Sequence, residues 1–203
     1  MSVKLDPFYP IVDSAGWVAR LVPHGVKLVQ LRIKDRPADA VVEDIIQARD
    51  ICRCHGCQLI VNDHWREAID AGCDFVHLGQ GDLDDADMSA IRKAGVRLGI
   101  STHDHAELDR ALALEPDYVA LGPIYPTLLK EMPWTPQGLD RIREWKQLVG
   151  SIPLVAIGGL TVKRLPRVFA AGADSAAVVT DILRHADPEA RTRQWLTATQ
   201  APA

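Results

Sequence analysis

The chain has 203 residues, enough for one domain that buries a large apolar core without disulfides. Its net charge of −4 provides no basic surface for nucleic acid or for an anionic membrane, so we expect neither as a partner. Residues 1–6 lack the apolar core of a secretion signal and no apolar run could span a bilayer, so we expect a cytoplasmic location.

Eight short apolar runs alternate with longer amphipathic stretches, the pattern of repeated β/α units. The predicted strands are Phe8–Asp13, Val26–Ile33, Gln58–Asp63, Phe75–Gly79, Arg97–Thr102, Tyr118–Gly122, Leu154–Gly159 and Ala176–Ile182. Glycines placed to end the preceding helices are Gly25, Gly56, Gly72, Gly95 and Gly172. We predict an α/β fold, a single small (β/α)8 TIM barrel domain over residues 1–203, with a doubly wound open sheet as the alternative. Both folds place the functional site at the carboxyl ends of the strands.

The second predicted strand carries three polar side chains spaced by two, Gln30, Arg32 and Lys34, with Leu31 and Ile33 between them. On a strand this spacing puts the three polar side chains on one face. Arginine offers a fork and lysine a point charge to phosphate oxygens, so a phosphate-binding face is one interpretation. A solvated edge strand, or salt bridges to carboxylates of the barrel, is the other.

The cysteines Cys52, Cys54 and Cys57 cluster near the predicted end of a helix, and Cys73 follows later. We interpret Cys52 and Cys54 as helical and Cys57 as the start of the next segment. A zinc site is the alternative, although the second ligand pair of a structural zinc site is missing. Without a secretion signal we expect no disulfides.

Carboxylates follow two consecutive predicted strands. Asn62 and Asp63 end the third strand, and Asp82 lies shortly after the fourth. Neighbouring strands bring such side chains close together, where two carboxylates repel unless a proton or a cation lies between them. Magnesium binds through one or two carboxylates together with substrate phosphates. The alternative is that each aspartate caps a helix, and Asp82 is placed to cap a helix beginning at Leu83.

The fifth predicted strand ends near Ser101, whose hydroxyl could reach a phosphate. Thr102 or Asp104 could cap the next helix. His77 lies within a strand, so we interpret it as a hydrogen-bonded core histidine rather than a ligand. His103 lies nearer the end of its strand and could have either role.

The segment from Pro123 to Gly138 contains four prolines and no helical period, and a loop of this length is usually a functional lid or disordered. Lys130 on this loop could close over a phosphate or be an ordinary solvated lysine. Gly158-Gly159 ends the predicted seventh strand, and Val178-Val179-Thr180 lies towards the end of the predicted eighth. The loops after these two strands form the usual phosphate site of a TIM barrel.

Taken together, these motifs resemble the thiamine phosphate synthase family along nearly the whole chain. The matching segments, in the family's order, are Gln30–Lys34, Asn62-Asp63, His77–Asp82, Ser101–His103, Pro126-Thr127 with Lys130, Ile157–Gly159 and Val178-Val179. The resemblance implies a (β/α)8 barrel that joins a pyrimidine methyl diphosphate to a thiazole phosphate and releases diphosphate.

The resemblance also implies roles for individual residues. Those expected to hold the pyrimidine diphosphate are Gln30, Arg32, Lys34, Asn62, Ser101 and Lys130. Arg32, Lys34, Ser101 and Lys130 are also the expected catalytic residues, because they would face the departing diphosphate. Asp63 and Asp82 are expected to bind Mg²⁺. On the thiazole phosphate side the expected residues are Thr127, Gly159, Val179 and Thr180.

Two positions depart from the family pattern. Leu129 stands where a hydroxyl residue usually precedes the loop lysine, and Asp181 follows Thr180 where a small residue is usual. We expect Asp181 to place a negative charge near the thiazole phosphate, so that its removal would tighten binding of that ligand.

Two other functions remain open on the sequence alone. One is a related isomerase that aromatises the thiazole phosphate and would not need two metal-facing aspartates. The other is a non-catalytic barrel that binds thiazole phosphate or thiamine phosphate. The chain could also assemble as a homo-oligomer.

Overall fold

The structure is a computed structural model that describes residues 4–127 and 135–200. Eight parallel strands form a closed barrel in which each strand pairs with the next and β1 pairs with β8. The strands are β1 Phe8–Val12, β2 Leu28–Leu31, β3 Gln58–Asn62, β4 Phe75–Leu78, β5 Arg97–Thr102, β6 Tyr118–Leu121, β7 Leu154–Ile157 and β8 Ser175–Val178. Closure confirms the predicted (β/α)8 barrel and excludes the open sheet.

Helices on the outside of the barrel connect the strands. In the described ranges they are α1 Ala15–Leu21, α2 Ala38–His55, α3 Trp65–Asp70, α4 Met88–Lys93, α5 His105–Ala113, α6 Gly138–Val149, α7 Leu165–Ala170, α8 Thr180–Leu183 and α9 Pro188–Gln200. Short 3₁₀ turns at Val22–His24 and Val162–Arg164 lie next to α1 and α7. The five glycines predicted to end helices all have φ between 60° and 109°, which confirms that prediction.

The predicted strands overlap the observed ones, but the predicted last strand is wrong in its second half. β8 ends at Val178, and Thr180 begins the short helix α8. The apolar pattern of residues 176–182 extends past the end of the strand because Ile182 is a buried residue of that helix. A short apolar run does not distinguish a buried strand from a buried helical turn.

Apolar side chains fill the barrel interior at the level of Leu28, Ile60 and Phe75, and they form one continuous cluster. Tyr118 belongs to this cluster, and its ring lies against Gly99 of the neighbouring strand. A Cβ atom on Gly99 would lie 2.1 Å from that ring, so only glycine leaves space for it. The side chains two residues further along the strands lie at the cavity, and several of them are polar.

All four cysteines are free thiols; Cys54 is exposed and the other three are buried. As predicted, Cys52 and Cys54 lie in α2 and Cys57 follows the left-handed Gly56. In the described part of the chain no group of three or more histidine, cysteine, aspartate or glutamate side chains is arranged to hold a metal, so the zinc alternative has no structural support. Within the same ranges no helix is both long and apolar enough to cross a bilayer.

Candidate active site

A cavity of about 770 Å³ opens at the carboxyl ends of the strands. Its lining includes every predicted site residue that the structure describes: Gln30, Arg32, Lys34, Asn62, Asp63, Asp82, Ser101, Thr127, Gly159, Val179 and Thr180. Lys130 and Leu129 lie outside the described residues. The parallel barrel explains this convergence, because all eight strands end at the same rim.

Gln30, Arg32 and Lys34 line one wall of the cavity, as their spacing predicted. Gln30 is buried within β2, whereas Arg32 and Lys34 lie past its end and are exposed. The backbone N–H of Arg32 donates to the carbonyl of Val12, so the extended conformation continues beyond the strand. Two exposed cationic side chains therefore lie at the rim.

Asp63 and Asp82 both line the cavity, close enough for the charge of Asp82 to act on Asp63. Asp63 directly follows β3 and adopts a left-handed conformation with φ of 64°. Lys34 Nζ lies 3.4 Å from Asp63 Oδ2, and Asp82 Oδ2 accepts a 3.1 Å hydrogen bond from the Gly79 N–H. The alternative interpretation of Asp82 as a helix cap is wrong, because α4 begins at Met88 and its cap is Asp87.

Burial and then the adjacent Asp82 raise the pKa of Asp63 above its ordinary value, and Lys34 acts in the opposite direction. A shared proton relieves the repulsion between two carboxylates, and so does a divalent cation. Mg²⁺ has octahedral coordination. If two carboxylates at an open cavity occupy two of its coordination positions, water and phosphate oxygens can occupy the others. The donor set therefore fits Mg²⁺ bound jointly with a polyphosphate.

Ser101 lies at the end of a buried chain of hydrogen bonds across the barrel. Gln30 Nε2 donates to the Tyr9 hydroxyl at 2.8 Å, and the Tyr9 and Tyr118 hydroxyls lie 2.9 Å apart. The Tyr118 hydroxyl lies 2.7 Å from His77 Nδ1, and His77 Nε2 lies 2.8 Å from Ser101 Oγ. Both ring nitrogens of His77 are thus satisfied, as expected of a core histidine.

The sequence interpretation missed Tyr9 and Tyr118 as members of the site. Both side chains point into the barrel, at positions that differ by two from Ile11 and Ala120 in the same interior cluster. A tyrosine at an inward-facing strand position must find a partner for its hydroxyl, which was the available signal. Of the two residues predicted as possible caps of the next helix, Thr102 and Asp104, the cap is Asp104, whose side chain accepts from the Glu107 N–H at 2.9 Å.

The loops after β6 and β7 are joined by their backbones. Ile124 N–H donates to the Ile157 carbonyl at 2.9 Å, and Tyr125 N–H donates to the Gly158 carbonyl at 3.0 Å. A Cβ atom on Gly159 would lie 2.5 Å from the Pro126 carbonyl oxygen. The glycine pair is therefore required for the close approach of these loops, in addition to any contact with an anion.

The expected position of the Asp181 charge is wrong. Its carboxylate accepts two hydrogen bonds from Arg191, at 2.8 and 2.9 Å, and one from the Trp195 indole at 2.7 Å. This ion pair is largely buried and joins α8 to α9. Arg184, an exposed cation that the sequence interpretation also missed, lines the cavity near Thr180.

We predict that Asp181→Asn destabilises the protein by about 2 kcal/mol, because Arg191 loses its charged partner. Affinity for the thiazole phosphate stays within about twofold, since the charge does not face the cavity. Denaturant unfolding and calorimetric titration measure the two effects. An increase in affinity of tenfold or more would show that the carboxylate repels the ligand after all.

We also predict that Asp63→Asn stabilises the metal-free protein by about 1 kcal/mol at neutral pH, because it removes a buried charge beside Asp82. Asparagine tolerates the left-handed conformation of this position. For a chain of this size the melting temperature rises by about 3 °C. Asp85→Asn, which changes an exposed carboxylate near the same rim, is the matched control.

The pH dependence follows from the raised pKa of Asp63. Below the ordinary carboxyl pKa, Asp63 is protonated in both the folded and the unfolded chain. The wild-type protein and Asp63→Asn therefore have equal stability there. As pH rises past the pKa of Asp63 in the folded protein, its charge penalty becomes complete and the difference reaches its full size. Equal stability at neutral pH, measured with chelator present, would contradict the assigned electrostatics.

Comparison with known proteins identifies the family. A family model described as thiamine monophosphate synthase matches residues 8–182. The thiamine-phosphate synthase of Rhizobium etli is 66% identical over 97% of both chains, and that of Neisseria meningitidis serogroup B is 49% identical over 90% of this chain and 89% of its own. The solved thiamine phosphate pyrophosphorylase of Pyrococcus furiosus has a TM-score of 0.85 at 24% identity, covering 96% of both chains. The chain belongs to the thiamine monophosphate synthase family.

Proposed function

We propose that this protein is a transferase that forms thiamine phosphate. It would condense 4-amino-2-methyl-5-(diphosphooxymethyl)pyrimidine with a thiazole phosphate and release diphosphate. The observation that carries this proposal is the proximity of Asp63 and Asp82 to each other and to the cations Lys34 and Arg32, in one cavity of a chain that belongs to this family. Such a site has both the acids for a cation and the cations for a polyphosphate.

The cofactor in this proposal is Mg²⁺, held by Asp63 and Asp82. When bound, the ion supplies a Lewis acid that stabilises the negative charge of the departing diphosphate. The protein's own contribution is to hold two carboxylates at neighbouring strand ends. Lys34 pairs with Asp63 in the structure and would contact phosphate oxygens bound at the same place.

The cationic wall of the cavity would stabilise charge as it develops on the leaving group. Arg32 and Lys34 are supported in this role by their position at the rim, and the proposal assigns Lys130 of the loop to the same task. Ser101 would add a hydroxyl, and Asn62, which is buried at the end of β3, would hold the same substrate. Because the protein's net charge is −4, attraction of a polyphosphate depends on these local cations.

The apolar floor of the cavity suits a carbocation step in which the pyrimidine ring delocalises the charge. Gln30 would orient that ring, and the apolar side chains of Ile11, Ala120 and Val155, which line the cavity, would contact it. The carbon–oxygen bond would break first and release diphosphate with the bonding electron pair, and the thiazole nitrogen would then attack the exocyclic carbon to form the carbon–nitrogen bond. No nucleophilic side chain of the protein is required.

The thiazole phosphate would lie towards the loops after β6, β7 and β8. Thr127, Gly159, Val179 and Thr180 line that side of the cavity, and Arg184 adds a cation there. The isomerase alternative gives no reason for the paired carboxylates on the opposite side, so we favour the synthase. A cytoplasmic location, small-molecule substrates as the partners and homo-oligomer formation stay predictions.

We predict that the purified protein makes thiamine phosphate from the two substrates in the presence of Mg²⁺ and stops when a chelator is added. Asp63→Ala and Asp82→Ala should each lower turnover at limiting Mg²⁺ by at least about a hundredfold, because an electrostatic stabiliser is lost. Asp85→Ala is the matched control, since its carboxylate is exposed and absent from the cavity lining.

The metal assignment would be contradicted if the wild-type protein formed product at an unchanged rate in the presence of chelator. It would also be contradicted if Asp63→Ala formed product at an unchanged rate at limiting Mg²⁺. Tight binding of the diphosphate substrate without release of product under any condition would support the binding-protein alternative instead.

A further inference from the structure

The hydrogen-bond chain between Gln30 and Ser101 joins two residues that the proposed function places on the same substrate. They belong to β2 and β5, on different sides of the barrel, and the links between them come from β1, β6 and β4. Gln30 and His77 are 3% and 6% exposed, and Tyr9 and Tyr118 are at most 1% exposed. Water therefore cannot replace a missing partner in this chain without a cost.

Which group donates in each of these hydrogen bonds can be worked out by starting from Gln30. Gln30 presents Nε2 to Tyr9, and an amide nitrogen can only donate. The Tyr9 oxygen accepts, so the Tyr9 hydrogen is directed to the Tyr118 oxygen. Tyr118 then donates to Nδ1 of His77. The opposite order, in which His77 donates to Tyr118, would leave the buried Tyr9 hydrogen without an acceptor among these groups.

With Nδ1 of His77 accepting, the proton of the neutral imidazole is on Nε2. Burial, with a smaller contribution from Arg32, lowers the pKa of His77 to about 4, so the ring is neutral at physiological pH. Nε2–H donates to Ser101 Oγ, which therefore has its own hydrogen free to donate. Ser101 lines the cavity, so that hydrogen is available to a ligand.

We infer that Tyr9, Tyr118 and His77 are positioning residues that fix Ser101 as a hydrogen-bond donor towards the diphosphate of the substrate. The inference rests on the proposed function for the identity of the ligand. A phosphate oxygen has only lone pairs to offer, so a serine whose hydrogen was committed to His77 would repel it. The direction of the chain thus decides whether Ser101 helps or hinders the leaving group.

The stacking of the rings supports the same geometry. The His77 and Tyr118 rings are stacked with centroids 5.5 Å apart, and the Tyr118 and Tyr9 rings meet edge to face at 6.1 Å. Gly99 leaves the space that Tyr118 occupies. The rings are held by packing, so removal of one hydroxyl should leave their positions unchanged.

A double-mutant cycle between Tyr118→Phe and Ser101→Ala tests the inference. Ser101→Ala should lower kcat by about a hundredfold. Tyr118→Phe should lower kcat by about tenfold with little change in KM, because it frees Nδ1 and lets Ser101 turn towards His77. The kcat of the double variant should equal that of Ser101→Ala to within about twofold, since Tyr118 acts only through Ser101. Tyr125→Phe, the remaining tyrosine of the chain, is the matched control.

The protonation of His77 provides a readout that is independent of activity. Nitrogen NMR of the wild-type protein should show a neutral ring protonated at Nε2, and in Tyr118→Phe the proton should redistribute between the two nitrogens. A wild-type ring protonated at Nδ1, or losses in kcat that multiply in the double variant, would overturn the inference.

If the wild-type protein made no thiamine phosphate, the proposed function would fail but the inference would still be decided. The NMR result stands alone, and the affinity for inorganic diphosphate with Mg²⁺ replaces kcat in the cycle. If the double variant bound inorganic diphosphate no more weakly than Ser101→Ala, the role of Tyr118 would be supported. If the affinity losses of the two single variants multiplied in the double variant, that role would be refuted. Should Tyr118→Phe not fold, Tyr9→Phe and the wild-type NMR measurement provide the test.

Discussion

The arrangement of this protein depends on the repulsion between two carboxylates that the barrel forces together. Asp63 follows β3 and Asp82 follows β4, and parallel neighbours end at the same rim. Burial and proximity raise the pKa of Asp63, which means that the metal-free site holds unfavourable electrostatic energy. A divalent cation bound with a polyphosphate would remove that energy, so the chemistry that we propose follows from how the site is built.

The rest of the cavity is consistent with a substrate that is negative at one end and aromatic in the middle. Arg32 and Lys34 extend past the end of β2 and remain exposed, where they can approach phosphate oxygens. The floor below them is apolar, and it also contains the buried tyrosine hydroxyls. The negative charge of Asp181 is neutralised by its largely buried ion pair with Arg191. The exposed Arg184 leaves the β8 side of the cavity cationic.

Much of this arrangement could be predicted from the sequence because it is carried by local patterns. The spacing of Gln30, Arg32 and Lys34 placed them on one face, and glycine positions marked the ends of helices. The strand ends then placed Asp63 and Asp82 at a common rim, since every strand of a parallel barrel ends there. The resemblance to the family added the remaining candidate positions.

The parts that could not be predicted depend on contacts between distant segments. The partner of Asp181 is a residue of α9, and no local pattern indicates that pairing. The same holds for the link from Tyr9 to Tyr118, which are far apart in sequence and meet inside the barrel. The last strand was predicted too long because Ile182 is buried in a helix rather than a strand. Position 159 requires glycine because of the Pro126 carbonyl, a contact that appears only when two loops are packed.

The most direct test of the central claim is a crystal structure of the protein grown with Mg²⁺ and inorganic diphosphate. The account predicts an ion about 2.1 Å from a carboxylate oxygen of both Asp63 and Asp82, with diphosphate oxygens and water completing its coordination. The diphosphate should lie against Arg32 and Lys34. An ion bound by neither aspartate, or diphosphate bound away from this rim, would contradict the account.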